Sequence, residues 1–251
     1  MSDSRAVLVT GGSCGIGRAI AHAFAAAGDR VAVHWGASRE RAEAVLAQLP
    51  GDGHVLVQAD LADADAVGRM VDDAAAALGG LDVLVNNAGV FTAHPPLSVS
   101  YEEWQAAWSR TLAVNLLGAA NATFRAVPHL VAAGGGAVVN VSSRGAFRGE
   151  PDTPAYGASK AGLNAFGQSM AIALAPHGIS VGTVAPGFVQ TEMAREVLDG
   201  PGGDAVRAQS PYGRVARPEE VASAVLWLAS PGARFSTGTI IDVNGASYLR
   251  S

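Results

Sequence analysis

The chain has 251 residues, 49% hydrophobic and 16% charged, with 31 glycines; this is the composition of a globular chain with ample core and many tight turns, and it excludes a disordered one. A formal net charge of −5, with arginines scattered singly, offers no basic stripe to follow a phosphate backbone, so no nucleic-acid partner is expected. One cysteine excludes an internal disulfide, no apolar run reaches the ~20 residues of a membrane helix, and Met1 to Arg5 lead straight into a strand without the regions of a signal peptide, so a cytoplasmic protein is expected.

Ala6 to Val9 is a short, continuously apolar run ending in a glycine-rich turn, as in a strand buried on both faces of a parallel sheet. Behind the turn, Ile16, Ile20, Ala23, Phe24 and Ala27 recur at helical spacing until Gly28 stops the helix. The alternation continues with strand Val31 to Val33, helix Arg39 to Gln48, strand Val55 to Gln58, helix Asp63 to Leu78 and strand Val83 to Asn86. A long helical region, interrupted near Asn115 and ending before Gly134, leads to strand Ala137 to Val141. Helix Ala155 to Ala175, strand Ile179 to Ala185, helix Pro218 to Ala229 and strand Thr239 to Val243 follow. Strands alternating with helices predict right-handed crossovers and a parallel sheet with helices on both faces, an α/β fold. No linker, repeat or low-complexity tract marks a boundary, so residues 1–251 are expected to form a single domain. Between Gln190 and Arg217 the periodicity fails, and about 190–217 is expected to be a mobile lid.

Lys160 is the only lysine in the chain, and it follows Tyr156 by four residues. On a helix that spacing places the two side chains on one face, roughly 5 to 6 Å apart at Cβ, where an ammonium can lower a phenol's pKa and still bond a ligand hydroxyl. The turn Thr10 to Gly17, with glycines at 11, 12, 15 and 17 and a helix behind it, suits close approach of a pyrophosphate to backbone N–H groups, although tight packing explains glycines equally well. Asp60, Asn86 to Gly89, Ser142 and Ser143, and Pro186 to Thr191 all fall at carboxyl ends of strands, the rim that faces the ligand crevice in such sheets. Singly, each also has an ordinary explanation as a cap or turn residue.

Taken together, Thr-Gly-x3-Gly-Ile-Gly, Asn-Asn-Ala-Gly, Ser143 thirteen residues before Tyr156, Tyr-x3-Lys and Pro-Gly-x3-Thr stand in the order seen in the short-chain dehydrogenase/reductase family, which the sequence resembles over essentially its full length. The resemblance implies one Rossmann-type, doubly wound domain with seven parallel strands and a nicotinamide cofactor across the strand ends. It implies Tyr156 as general acid/base, Ser143 steadying the substrate oxygen, Lys160 on the nicotinamide ribose while depressing the phenol pKa, and Asn115 holding a water in a proton relay. Cofactor contacts are expected from Gly11, Ser13, Cys14, Gly15, Ile16 and Gly17, from Asp60 and Leu61, from Asn87, Ala88 and Gly89, and from Pro186, Gly187, Val189 and Thr191, besides Tyr156 and Lys160. No metal is needed, since no cluster of His, Cys and carboxylates suggests one.

In this family an acidic residue at the end of the second strand holds the adenosine ribose, and Trp35 stands there instead. Ser38 and Arg39 follow within reach of a 2′-phosphate, so NADP(H) is expected to be preferred, with NAD(H) possible and Cys14 speaking against NADP because relatives often place a basic residue in that turn. The substrate is expected to be a small carbonyl or alcohol. The general look is nearest to 3-oxoacyl-carrier-protein reductases, but residues 131–136 carry no charge and His177 stands where an arginine is usual, which weakens carrier docking. Arg144 and Arg148 flank Ser143 and either read an acidic substrate or are solvated loop residues. A dinucleotide-binding protein without catalysis is the remaining alternative, and retention of Asn115, Ser143, Tyr156 and Lys160 weighs against it. A homotetramer is expected, with the small residues Ala158, Gly162, Ala165 and Ser169 on the catalytic helix admitting a neighbouring helix.

Overall fold

The computed structural model describes residues 4–250. Seven strands, β1 Ala6–Val9, β2 Arg30–Trp35, β3 Val55–Gln58, β4 Val83–Asn86, β5 Gly136–Val141, β6 Ile179–Pro186 and β7 Ile240–Val243, form one sheet in the order β3-β2-β1-β4-β5-β6-β7. Every pairing is parallel. The chain winds outward from β1 to β3, then returns to β4 and winds the other way. The reversal between β1 and β4 opens a crevice at the carboxyl ends of those strands.

The uninterrupted apolar runs of these strands divide by their period of two between two cores. Val7 and Val9 of β1, Val83 and Val85 of β4, and Val139 and Val141 of β5 pack on one face with Phe24 of α1 (Gly15–Ala26) and Val221 and Val225 of α9 (Pro218–Leu228). Leu8, Leu84 and Val138 point to the other face, against Met70 and Leu78 of α3 (Ala64–Leu78) and Ala126 and Leu130 of α5 (Ala119–Ala132). Each such aliphatic side chain, fully removed from water, contributes about 1.5–3 kcal/mol.

Local chemistry sets several helix starts. Ser38 accepts from Arg41 N at 3.3 Å to open α2 (Arg39–Leu46), and Asp63 accepts from Asp65 and Ala66 N–H groups at 3.0 Å to open α3. Ser100 and Glu103 cap reciprocally at the head of α4 (Tyr101–Leu112). The interruption expected near Asn115 is a π-helical turn, Ala113–Gly118, joining α4 to α5. β2 runs longer than Val31 to Val33, reaching Trp35. The stretch read as aperiodic, about 190–217, contains α7 (Glu192–Asp199) and α8 (Gly203–Arg207), each too short to print a repeating pattern on the sequence. The catalytic-motif helix α6 spans Pro154–Leu174. Among the described residues no helix is long and apolar enough to cross a membrane.

Candidate active site

A cleft of about 620 Å³ lies over the carboxyl ends of the strands, floored by the glycine turn on one side and by the β5 and β6 ends on the other. Hydrogen bonds from neighbouring strands hold the turn. Thr10 Oγ1 donates to Val85 O at 3.1 Å and accepts from the N–H groups of Asn87 and Ala88 at 2.9 and 3.1 Å. Asn87 Nδ2 donates to Thr10 O and Gly11 O at 2.9 and 3.2 Å. Buried His34 ties in β2: its Nδ1 accepts from Gly11 N at 2.9 Å, so its Nε2 carries the proton and donates to Ala59 O at 3.1 Å. Burial holds this imidazole below its usual pKa and so in the neutral form the bridge requires.

Gly17 is required by close approach: a Cβ there would lie 2.1 Å from Gly11 O. Unlike α2, α3 and α4, helix α1 has no side-chain cap at its N-cap Cys14 and no acid in its first turn. Its leading N–H groups and positive dipole end therefore remain available at the cleft, the environment a pyrophosphate fits.

Across the cleft, Tyr156 and Lys160 project from the first turns of α6. Lys160 is buried, and Nζ donates to Val141 O at 2.8 Å and stands 5.8 Å from the Tyr156 ring centroid. An ammonium has three N–H donors, so two remain for a ligand. Desolvation pushes Lys160 down to about 8. The phenol of Tyr156 is pushed above its usual value by burial; the hydroxyl of Ser143 pulls the other way and the field of Glu150 adds to the rise. The net direction is opposite to the depression expected from Lys160, with desolvation the largest cause. Phe91 packs edge-on to the Tyr156 ring at 4.9 Å and fixes its plane. Ser143 Oγ accepts from Gly145 N at 3.0 Å and retains a proton and a second lone pair for the cleft. A phenol that can exchange a proton, a hydroxyl beside it and an ammonium behind it suit proton transfer at an oxygen.

The cleft wall includes Gly11, Cys14, Gly15, Ile16, Gly17, Asp60, Leu61, Asn87, Ala88, Gly89, Ser143, Tyr156, Lys160, Pro186, Gly187, Val189 and Thr191. Ser13, Ser38, Arg39 and Asn115 are not on it. Ser38 caps α2, while the Arg39 guanidinium is exposed and pairs with Glu43 at 2.8 Å. Asn115 is next to the wall: Oδ1 accepts from Val90 N at 2.8 Å, and Nδ2 donates to Val90 O at 3.0 Å and Ser159 Oγ at 3.2 Å, so both amide hydrogens are engaged by protein and one lone pair of Oδ1 remains. Sequence reasoning missed Phe91, Glu150, Met193 and Val197 on the wall, and Arg110, which holds Asp60 at 2.9 Å and draws its carboxyl below the usual pKa. Only folding brings these together, and none sits in a motif.

A family profile described as enoyl-(acyl carrier protein) reductase matches residues 11–246. A 3-oxoacyl-[acyl-carrier-protein] reductase of Staphylococcus aureus is 37% identical over 99% of this chain and 100% of its own length. A cis-4-hydroxycyclohexanecarboxylate dehydrogenase of Sinomonas cyclohexanicum is 40% identical over 96% of this chain and 95% of its own. Among solved structures, a short chain dehydrogenase from Burkholderia cenocepacia in complex with NADP superposes with a TM-score of 0.88 at 38% identity, covering 97% of each chain.

Proposed function

The chain belongs to the short-chain dehydrogenase/reductase family and is an NAD(P)-dependent oxidoreductase acting on CH–OH groups; on that premise we propose that it interconverts a small ketone and its secondary alcohol with NADP(H), Tyr156 serving as general acid/base. The observation that carries this reading is the meeting of Tyr156, Ser143 and Lys160 in one cleft with the uncapped N-terminus of α1.

When bound, the dinucleotide supplies the hydride to the carbonyl carbon or takes it up from the alcohol. The glycine turn and α1 would hold its pyrophosphate, and the two remaining N–H groups of Lys160 would hold ribose hydroxyls. Ser143 hydrogen-bonds the substrate oxygen, and Tyr156 gives that oxygen a proton in reduction or takes it in oxidation. A phenol with a raised pKa is protonated at neutral pH, which suits the acid role; oxidation needs the phenolate and therefore rises with pH. Helix α7 lines the cleft through Met193 and Val197, on the side facing the glycine turn's Gly15, as a lid over the substrate would.

The preference for NADP(H) rests on the absence of an acid at the end of β2, where Trp35, Gly36 and Ala37 stand. The exposed Arg39–Glu43 pair is worth at most about 1 kcal/mol, so a 2′-phosphate can compete for that guanidinium. Spectrophotometric turnover of a panel of free ketones and 3-oxoacyl thioesters with NADPH and NADH tests the reading. A kcat/KM at least about tenfold higher with NADPH is expected, a difference of about 1.4 kcal/mol, and Trp35→Asp should move it toward NADH. Equal efficiency with the two cofactors counts against it. Tyr156→Phe keeps the ring and removes the proton, so kcat is expected to fall by about 100-fold or more while cofactor affinity is nearly unchanged.

A further inference from the structure

Arg144 directly follows Ser143 in a single 3-10 turn, Arg144–Ala146, and is 4% exposed. Its Nη1 donates to Ser247 Oγ at 2.7 Å, and its guanidinium carbon lies 5.2 Å from the Phe188 ring centroid. A guanidinium has five N–H donors, and this one serine hydroxyl satisfies one of them. Among the described residues no carboxylate is within ion-pair distance of Arg144. The carboxylates lining its surroundings are engaged elsewhere: Glu220 pairs with Arg214 and Asp242 with Arg250, each at 2.7 Å. Glu150 contributes a field, but it acts on Arg148 as well as on Arg144, and burial raises its own pKa. Arg144, Arg148 and Glu150 therefore leave one net positive charge beside the catalytic serine.

Arg144 and Phe188 line both the main cleft and a side chamber of about 210 Å³, whose wall also holds Ser210, Asn244 and Ser247. A buried charge without a counter-charge is costly, and the cost is offset where a ligand brings one. A guanidinium fork matches a carboxylate in two parallel hydrogen bonds, and stacking on Phe188 restricts its plane. We infer that Arg144 binds a carboxylate on the substrate, remote from the reacting carbon, so that the enzyme acts on small oxo and hydroxy acids whose acid group enters the side chamber. This rests on the reading that Ser143 and Tyr156 hold the reacting oxygen, which leaves the Arg144 side of the cleft to the other end of the molecule.

The test compares acid and amide probes of matched shape, levulinate with levulinamide and 4-oxocyclohexanecarboxylate with its carboxamide, using the ratio of their kcat/KM values within each enzyme. Because the ratio is internal, any general loss in a variant cancels. In wild type at least one pair should favour the acid by at least about tenfold, the scale of hydrogen bonds to a charged group. Arg144→Gln should bring that ratio toward one through the KM of the acid, and Arg144→Lys should retain part of it. A ratio near one in wild type for both pairs, or one left unchanged by Arg144→Gln, overturns the inference. So does failure on all four probes by an enzyme that reduces neutral ketones. Loss of turnover on every ketone and alcohol would instead overturn the assignment of Ser143 and Tyr156.

Discussion

Lys160 shows what a buried charge costs. Its folded pKa of about 8 lies below the 10.5 of the unfolded chain. Below pH 8 both states carry the proton and the burial penalty is fully present. Between pH 8 and 10.5 the unfolded chain keeps a proton the native state has lost, so stability rises with pH through that window. The full shift corresponds to about 3 kcal/mol. Lys160→Met should therefore be more stable than wild type near pH 7, and its advantage should shrink as pH climbs toward 10. Urea unfolding of both proteins across that range measures it, and an advantage that grows with pH would refute it. Spacing and uniqueness in the sequence both pointed at the lone lysine, and the structure sets it in the cleft beside Tyr156. The upward shift of Tyr156 was not legible in the sequence, because the desolvation behind it depends on how the cleft closes around the ring.

The element that presents Tyr156 is held at its start from far away. The N-cap of α6, Thr153, makes no side-chain cap, and Pro154 follows it. His94 supplies the missing acceptor: its Nε2 takes the Ala155 N–H at 3.2 Å, leaving Nδ1 to donate to Thr92 O at 2.8 Å. His94 N also donates to Asp152 O at 2.8 Å, and its ring packs edge-on to Trp104 at 5.4 Å. His94→Ala leaves a buried N–H unpaired one residue before Tyr156. A loss of about 1–3 kcal/mol is expected by denaturant unfolding, together with a lower kcat. Unchanged stability and unchanged kcat would show that α6 needs no such tie. Strands were easy to find in the sequence because burial on both faces demands unbroken apolar runs. This cap was not, because the two partners lie 61 positions apart. The short α7 and α8 escaped for a different reason: helices of eight and five residues complete too few turns to show a period.

At the scale of the molecule, the small-residue stripe on α6 meets the long helical region before Gly134 at Gly162, while Ala158, Ala165 and Ser169 stay exposed. A Cβ on Gly162 would lie 3.0 Å from Leu116 of the same chain, so Gly162 serves packing within the subunit and Gly162→Leu would disturb the site before any assembly. A stripe better suited to assembly lies along the π-helical turn and α5, where Leu117, Phe124 and Val131 repeat every seven residues and are 56%, 78% and 44% exposed. Ile172 on α6 is 80% exposed as well. Large apolar side chains presented at helical spacing on a continuous face mark a surface that gains by burial. A face of this kind would be buried by pairing with its own copy across a two-fold axis, and a second such axis would make the tetramer expected from the sequence. Light scattering is therefore expected to give a mass near four times 25.3 kDa. Phe124→Asp places a carboxylate in the middle of that stripe, where self-pairing would set two like charges against each other. The variant should dissociate to a smaller species while its far-ultraviolet circular dichroism stays that of the wild type, since Phe124 contributes to neither core. A wild-type monomer at micromolar concentration, or a Phe124→Asp variant of undiminished mass, would leave this stripe without a role in assembly.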